Sequence, residues 1–304
     1  MVNFTIEGNC TSNLDRTTPP WLTGMVVFLA ALNIFLSITA SFGDILILIA
    51  LHRVTSLYPP SKFLFRCLAV TDLCVGLISH PLHSTYLMSY IAEMNFNNVY
   101  FISEVNSALG VTLCVLSLVT STTISLDRLL ALSLGMRYRQ VVTLRRIRVC
   151  TACSWMISVL LGSVYFWNHR VLWIAAFILV ILCLVTSIFS YTKINLKLRH
   201  HQAQVQVHQG QPNGGGTPLN ITRYKKTVSS ILWVQLALLV CYVPSCIVAL
   251  LRINEKEYFS HMTWLCAVTL IYMNSSLNPI LYCWKIIEVR QRVNNAIRHC
   301  CASR

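Results

Sequence analysis

Residues 171–192, VLWIAAFILVILCLVTSIFSYT, contain no Asp, Glu, Lys or Arg. A helix needs about 20 mostly apolar residues to cross the hydrocarbon core of a bilayer, and this stretch is long enough. Backbone polar groups in lipid must be hydrogen-bonded within their own segment, so we expect an α-helix here. The strands of a membrane barrel would be shorter and would alternate in polarity, which this stretch does not do.

Six further segments have the same character. Only two of the seven contain a charged residue, and in each it is a single acid, Asp44 or Asp72. The whole chain of 304 residues is 55% apolar and 11% charged, with a mean hydropathy of +0.61, whereas soluble domains carry about 25% charged residues. The sequence therefore predicts an all-α fold, a bundle of seven transmembrane helices. The segments are approximately 22–51, 67–92, 105–126, 149–169, 171–192, 227–251 and 258–284.

The distribution of basic residues predicts the orientation of this bundle. If the N-terminus lies outside the cell, only Arg16, Arg170, Arg252 and Lys256 of the 24 Lys and Arg residues lie outside, and the other 20 lie inside. Such an excess marks the cytoplasmic side, and a plasma-membrane location is expected. The net charge of +14 then suits anionic lipid and acidic partners. It does not indicate nucleic-acid binding, because no basic stripe with interleaved aromatic residues is present.

We expect three parts along the chain: an extracellular tail (1–21), the bundle (22–284) and a cytoplasmic end (285–304). In the tail, Asn3 and Asn9 begin glycosylation triplets. In the cytoplasmic end, residues 285–299 form an amphipathic pattern typical of an eighth, interfacial helix, and Cys300 and Cys301 after it suit palmitoylation. The Gln-, Gly- and His-rich residues 200–219 indicate a flexible linker. The fourth and fifth segments nearly touch, which favours a tight hairpin over one overlong helix.

Polar groups within the membrane are functional candidates, because a central charge costs about 2.5–3.5 kcal/mol on insertion scales. The first two helices contain Asp44 and Asp72. The third ends in Asp127-Arg128, and the seventh contains Asn274-Ser-Ser-Leu-Asn278-Pro279-Ile-Leu-Tyr282.

Taken in order, these motifs resemble those of the rhodopsin-like (class A) G-protein-coupled receptors. Leu68-Ala-x-x-Asp72 is similar to the family's second helix, and Asp127-Arg128 to its Asp-Arg-Tyr motif, with Leu129 in place of Tyr. Cys241-Tyr242-Val243-Pro244 is similar to Cys-Trp-x-Pro in the sixth helix, with Tyr for Trp. Asn278-Pro279-x-x-Tyr282 is the complete seventh-helix motif, and Trp155 and Tyr191 fit the fourth and fifth helices.

The resemblance implies a receptor that activates a heterotrimeric G protein when an extracellular ligand shifts the bundle to its active state. It also implies arrestin and a receptor kinase as partners. Asp127 would hold Arg128 at rest, and activation would release Arg128 toward Tyr191 and Tyr282. Pro244 and Pro279 would kink their helices so that the inner ends can pivot. The implied activation switch comprises Asp127, Arg128, Tyr191, Tyr242, Pro244, Asn278, Pro279 and Tyr282.

The resemblance further implies an allosteric sodium ion, for which oxygen ligands are suitable. The implied sodium site comprises Asp72, Ser117, Asn274 and Ser275. Asp44 stands where the family usually has Asn and adds a second carboxyl. Two neighbouring carboxylates repel, so we expect Asp44 to be protonated or to share a proton with Asp72.

The chain departs from the family pattern in two other places. Where the family often has an acid at the base of the sixth helix, this chain has the basic stretch Arg223-Tyr224-Lys225-Lys226, which predicts appreciable basal signalling. Ser103 stands where most members have the helix-three half of a disulfide, and the second outer loop is almost absent. A short loop without that bond is similar to melanocortin-type receptors, whose acidic ligand-binding residues are not clearly matched here.

The expected ligand pocket lies between the outer halves of helices two, three, six and seven. Tyr272 stands where an opsin has its retinal Lys, and Gly110 where amine receptors have an Asp, so both ligand classes are disfavoured. His83 and Glu104 either pair across the pocket or face the headgroup region. The candidate residues are His83, Tyr86, Glu104, Asn106, Gly110, Tyr242, Ser245 and Tyr272.

Two other classes of membrane protein are alternatives to a receptor. Asp44 and Asp72 are compatible with an ion-coupled transporter or channel, although the chain shows no internal repeat. A membrane enzyme lacks support, because we find neither a His-Glu-x-x-His zinc motif nor a plausible Ser/His/Asp set.

Overall fold

A computed structural model describes residues 20–54, 57–89, 91–92, 96–164, 167–208, 233, 236–248 and 257–285. These residues are almost entirely helical, and the prediction of an all-α seven-helix bundle is confirmed. Five of the helices are long and apolar enough to cross a membrane. In chain order the helices are α1 (Pro20–Arg53), α2 (Pro59–Ser89), α3 (Phe96–Leu134), α4 (Leu144–Val164), α5 (His169–His208), α6 (Leu236–Val248) and α7 (Glu257–Lys285).

Helix α3 lies at the centre of the bundle, in contact with α2, α4 and α5, while α1 packs against α2 and α7. Several hydroxyl side chains of α3 are tolerated in a membrane because they bond the carbonyl one turn back. Thr112, Thr120 and Thr123 donate to the carbonyls of Ala108, Leu116 and Val119 at 2.7–2.8 Å. No polar group is thus left facing lipid without a partner at these positions.

Helix α2 contains a π turn, Val75–Ser79, between two α-helical parts. Its next residues are His80 and Pro81, and the His80 N–H bonds the carbonyl of Val75, five residues back. Pro81 has no N–H to continue the backbone hydrogen bonds of an α-helix. The wider π turn accommodates the missing hydrogen bond. Such bulges shift the side chains beyond them around the helix axis, so the turn sets the direction of the C-terminal part of α2.

The predicted hairpin between the fourth and fifth segments is present. Helix α4 ends at Val164, whose carbonyl accepts hydrogen bonds from the N–H groups of Trp167 and Asn168. Oδ1 of Asn168 then accepts from the N–H of Val171 at 3.2 Å, which caps the first turn of α5.

The prediction of a flexible linker over residues 200–219 is wrong for its first half. Helix α5 continues to His208, because residues 193–208 contain neither Gly nor Pro and are rich in good helix formers. Residues 209–219 lie outside the described part of the chain.

The outer surfaces of the helices are apolar. Phe35 and Phe42 of α1, Met156 of α4 and Ile174 of α5 are each more than 60% exposed. In water such surfaces would be large apolar patches, and in a bilayer lipid covers them. The chain is accordingly a multi-pass membrane protein.

Candidate functional site

The middle of the bundle holds a polar cluster around Asp72. Its carboxylate is fully buried and accepts three hydrogen bonds: at Oδ1 from Ser117 of α3 (2.7 Å) and Ser275 of α7 (2.8 Å), and at Oδ2 from Asn278 Nδ2 (2.7 Å). The site thus ties three helices to one anionic group. Bonds to a charged acceptor are stronger than neutral ones, so this cluster strongly couples the positions of α2, α3 and α7.

Two residues expected in the same cluster are arranged differently. Asn274 is buried, but its side-chain oxygen and nitrogen have no hydrogen-bond partner in the described structure, and Asn278 takes the place beside Asp72. Asp44 is within electrostatic range of Asp72, yet neither of its oxygens has a hydrogen-bond partner among the described residues. No direct hydrogen bond therefore links the two carboxyl groups.

The side chains present would suit a small hard cation. Asp72, Ser117 and Ser275 already bring three oxygen-bearing groups together. Asp44 and Asn274 also have buried side-chain oxygens without a hydrogen-bond partner among the described residues. Oxygen donors are what such a cation prefers, so these residues fit the implied sodium ion.

A second polar cluster lies at the C-terminal end of α3. Asp127 Oδ1 accepts a 2.6 Å hydrogen bond from the Tyr138 hydroxyl, and Oδ2 accepts one of 2.8 Å from Ser61 of α2. The neighbouring Arg128 is only loosely paired, with Nη2 lying 3.7 Å from Oδ2. Its guanidinium lies over the Phe65 ring, 5.5 Å from the centroid.

Tyr138 lies in the loop after α3. That helix ends at Leu134, and Gly135 follows in the left-handed region with φ of 52°, a conformation that favours glycine at a helix end. A short helix, Tyr138–Val141, then returns to the bundle. The Tyr58 hydroxyl donates to the carbonyl of Val142 at 3.0 Å, and the rings of Tyr58 and Tyr138 lie 5.4 Å apart.

Sequence reasoning did not identify Ser61, Tyr58 or Tyr138 as parts of this cluster. The sequence signal for Tyr138 is a polar aromatic residue eleven positions after Asp127. This signal is weak without knowledge of the fold. The loop helix brings that residue back to Asp127, and local spacing does not predict this return.

The other expected switch residues are spread over α5, α6 and α7. Tyr191 of α5 is 39% exposed, and the described residues include no hydrogen bond between it and Arg128. Tyr242 of α6 is buried and donates to the carbonyl of Cys114 at 3.3 Å, while Pro244 lies one half-turn further along α6. Pro279 packs against Gly43 of α1, where a Cβ atom would lie 2.6 Å from the proline Cβ.

A third cluster lies at the end of the bundle opposite to the Asp127 cluster, between the C-terminal part of α2, the N-terminal part of α3 and α7. The structure pairs His83 with Asn106, whose Nδ2 lies 3.3 Å from Nδ1 of the imidazole. Tyr272 of α7 packs edge-to-face against His83 and also against His80, with ring centroids 5.5 and 5.6 Å apart. His80 was not among the predicted pocket residues, and the π turn before it is what directs it inward.

Gly110 makes room for Tyr272. A Cβ atom at position 110 would lie 2.2 Å from the Tyr272 hydroxyl oxygen. The space available to an anchoring side chain at this position is therefore already filled by the phenol.

The remaining pocket residues lie around this cluster. Tyr86 contacts the His83 ring at 6.3 Å between centroids. Glu104 is partly buried on α3. Ser245 donates to the carbonyl of Tyr242 within its own helix at 2.7 Å, so its hydroxyl is engaged locally.

Several residues and segments with a predicted role lie outside the part of the chain that the structure describes. They are Asn3, Asn9, the side chain of Tyr282, the basic stretch 223–226, the interfacial helix 286–299, Cys300 and Cys301. The nine cysteines whose side chains are described are all free thiols.

Comparison with known proteins identifies the family of the chain. Residues 43–171 and 162–282 match the family described as 7 transmembrane receptor (rhodopsin family). Human trace amine-associated receptor 9 is 22% identical to this chain, covering 90% of the chain and 86% of that receptor. Sheep adenosine receptor A3 is also 22% identical, covering 88% of the chain and 89% of that receptor.

The guinea-pig histamine H2 receptor is 25% identical and covers 88% of the chain and 79% of that receptor. The relatives are receptors rather than enzymes, and none of them supports an ion-coupled transporter. The family match spans most of the chain, from Gly43 in α1 to Tyr282 in α7. This chain belongs to the rhodopsin family of seven-transmembrane, G-protein-coupled receptors.

Proposed function

We propose that this receptor is held at rest by the Asp127 cluster and is activated by an extracellular ligand that enters the outer half of the bundle. The observation that supports this is the engagement of Asp127 by both Tyr138 and Ser61, while Arg128 is only loosely paired with it. Arg128 would move toward Tyr191 and Tyr282 when a G protein binds. Pro244 and Pro279 would allow the inner ends of α6 and α7 to swing, since proline interrupts the helical ladder.

A G-protein activation panel tests this mechanism. Nucleotide exchange on each G-protein subtype is measured in membranes containing the wild-type receptor or Arg128→Ala, at matched surface expression. We expect the wild type to activate at least one subtype above receptor-free membranes, and Arg128→Ala to lose that signal. A signal that persists in Arg128→Ala would refute the role of this residue, and silence of the wild type toward every subtype would refute basal signalling.

The proposed topology places the N-terminal tail outside the cell and the C-terminus in the cytoplasm, at the plasma membrane. The excess of Lys and Arg near the helix ends on one side supports it. In this orientation Asn3 and Asn9 are available for glycosylation, and Cys300 and Cys301 for palmitoylation. Arrestin and a receptor kinase would then share the basic cytoplasmic face with the G protein.

The proposed sodium site uses Asp72, Ser117, Asn274 and Ser275, with the carboxyl group of Asp44 as a further oxygen donor. When bound, the ion would neutralise Asp72 and hold the surrounding oxygens together. The chain's own contribution is to bring hydroxyls of α3 and α7 to one carboxylate of α2. A bundle held in this way would resist the helix movements of activation.

The ligand class of the relatives does not transfer directly. Two relatives are named for a trace amine and for histamine. The resemblance places the amine anchor at position 110, which is Gly110 here, and Tyr272 fills the adjoining space. We therefore propose a ligand that is not anchored through an ammonium group at this position.

A further inference from the structure

Two histidines in the outer half of α2 pack against one aromatic ring. His80 and His83 are 0% and 1% exposed, and both imidazoles meet the ring of Tyr272 edge-on at 70° and 90°. In each imidazole Nδ1 has a polar partner, whereas Nε2 has no hydrogen-bond partner among the described residues. The backbone carbonyls of Tyr272 and Leu265 lie nearby, but neither meets Nε2 in hydrogen-bond geometry.

The hydrogen bonds around Asn33 determine which nitrogen of His80 carries the proton. The Thr269 hydroxyl donates to the carbonyl of Leu265 at 3.0 Å, so its oxygen must accept from Asn33 Nδ2, also at 3.0 Å. The same Nδ2 donates to the carbonyl of Leu29 at 2.9 Å. Asn33 Oδ1 is then the acceptor facing His80 Nδ1 at 2.9 Å. Neutral His80 therefore carries its proton on Nδ1 and presents a lone pair at Nε2.

His83 has the complementary arrangement. Asn106 Nδ2 lies 3.3 Å from His83 Nδ1 and donates to it, which leaves the proton of neutral His83 on Nε2. One imidazole of the pair thus offers an acceptor at Nε2 and the other offers a donor. Both of these atoms are buried without a partner, a costly condition that a suitable ligand group would relieve.

The charge of the residues around the two imidazoles determines which kind of ligand group can bind there. In the described part of the chain, the side chains that bond or pack against the two imidazoles include Asn33, Asn106, Tyr86 and Tyr272, all of them uncharged. A buried ammonium needs a carboxylate, and a buried carboxylate needs a cation or several donors. A neutral group that both donates and accepts needs neither.

We propose that His80, His83 and Tyr272 form a ligand subsite for an uncharged group with paired hydrogen-bond donor and acceptor, such as a carboxamide. The subsite rests on the proposed function, because it lies in the outer half of the bundle where the receptor would take its ligand. Tyr272 packs against both rings, so the ligand group reaches them by displacing the phenol from its place beside Gly110. The donor of the group bonds His80 Nε2, and its acceptor receives the Nε2–H of His83.

Three probes of equal size test the class of ligand. Benzamide, benzylamine and benzoate are titrated against the full-length receptor in lipid nanodiscs, and binding is followed by saturation-transfer NMR. We expect benzamide to bind at least ten-fold more tightly than the other two. Equal or tighter binding of benzylamine or benzoate would overturn the proposal.

Variants then locate the binding. Loss of one hydrogen bond corresponds to about a ten-fold loss of affinity, so His80→Leu and His83→Leu should each weaken benzamide binding by that factor. Thr85→Ala is the matched control, because Thr85 is exposed on the same turns of α2 and bonds only the carbonyl of Pro81. Benzamide binding that is unchanged in both histidine variants would overturn the assignment.

A measurement on the wild-type receptor keeps the test decisive if these variants fail to fold. Nitrogen-15 NMR of histidine-labelled receptor, assigned with His80→Gln, reports the protonated nitrogen directly. We expect neutral His80 with its proton on Nδ1, neutral His83 with its proton on Nε2, and shifts of both Nε2 signals with benzamide. An imidazolium at neutral pH, or no response to benzamide, would overturn the proposal. The G-protein panel with Arg128→Ala does not involve these histidines, so failure of either idea is seen separately.

Discussion

The Tyr138 hydroxyl donates a 2.6 Å hydrogen bond to Asp127, from a loop helix that begins eleven residues later in the chain. Ser61 occupies the other carboxylate oxygen, so Asp127 is engaged by a loop and by α2 at once. Arg128 lies 3.7 Å from this carboxylate, too far for a hydrogen bond. The expected acid at the base of the sixth helix is replaced by a basic stretch, which leaves the loop as the restraint that the structure shows.

We predict that Tyr138→Phe raises basal signalling. The substitution removes one hydrogen bond to a charged group, and such bonds contribute about 1.5–3 kcal/mol. Only the part of this energy that is lost on activation changes the ratio of active to resting receptor. We therefore expect basal signalling to rise on the order of three- to ten-fold. Basal nucleotide exchange at matched surface expression measures it.

Tyr58→Phe is the matched control for this prediction. Its hydroxyl bonds the carbonyl of Val142 rather than Asp127, so the ring contact with Tyr138 is kept and the carboxylate is untouched. We expect a change of less than two-fold by the same arithmetic. If the two variants raise basal signalling equally, the effect belongs to the loop as a whole and not to the bond with Asp127.

We predict that sodium lowers basal signalling in the wild type and not in Asp72→Asn. The proposed ion needs the negative charge of Asp72, and the amide removes that charge while preserving shape. Nucleotide exchange is compared in sodium chloride and in choline chloride at equal ionic strength. Ser275→Ala should keep part of the effect, because one hydroxyl is lost and the carboxylate stays. An undiminished sodium effect in Asp72→Asn would place the ion elsewhere.

Asp44→Asn should stabilise the folded receptor. Both carboxyl oxygens of Asp44 are buried without partners, and leaving a buried polar group unpaired costs about 1–3 kcal/mol. An amide has nearly the same shape and stays neutral beside Asp72 without having to take up a proton. We expect a higher thermal unfolding temperature in nanodiscs.

The same substitution at Asp72 gives the opposite expectation. Three donors converge on that carboxylate, and Asp72→Asn replaces one acceptor oxygen by a donor, so the unfolding temperature should fall. If both variants lower the unfolding temperature, the argument for Asp44 is wrong, and if both raise it, the argument for Asp72 is wrong.

The sequence predicted the helices well, because an apolar run of membrane length permits few other structures. It also predicted the partnership of Asp72 with Ser117 and Ser275 through the family pattern. It did not distinguish Asn274 from Asn278, since the two lie one turn apart on the same face of α7 and only the packing decides which reaches Asp72. It missed Tyr138 and His80 for a related reason. A loop helix places Tyr138 beside Asp127, and a π turn directs His80 into the bundle. Neither feature follows from residue spacing.

The contact between Gly110 and Tyr272 supports the last prediction. A Cβ atom at position 110 would lie 2.2 Å from the Tyr272 hydroxyl oxygen and 3.3 Å from the carbon that bears it. Gly110→Ala therefore forces the phenol to move, although alanine is otherwise the better helix residue. Overpacking of this kind costs about 1–3 kcal/mol, and the unfolding temperature of Gly110→Ala should fall.

Tyr272→Phe should rescue that variant. Without the hydroxyl, the nearest ring atom lies 3.3 Å from the new methyl carbon, a tight contact that a ring shift of a few tenths of an ångström relieves. The double variant is then more stable than the sum of the two single changes predicts, with a coupling of about 1 kcal/mol or more. Additive effects would mean that Tyr272 already turns away from Gly110 in the membrane. In that case the phenol would leave the space beside α3 open, and the exclusion of an anchoring group at position 110 would rest on the missing acid alone.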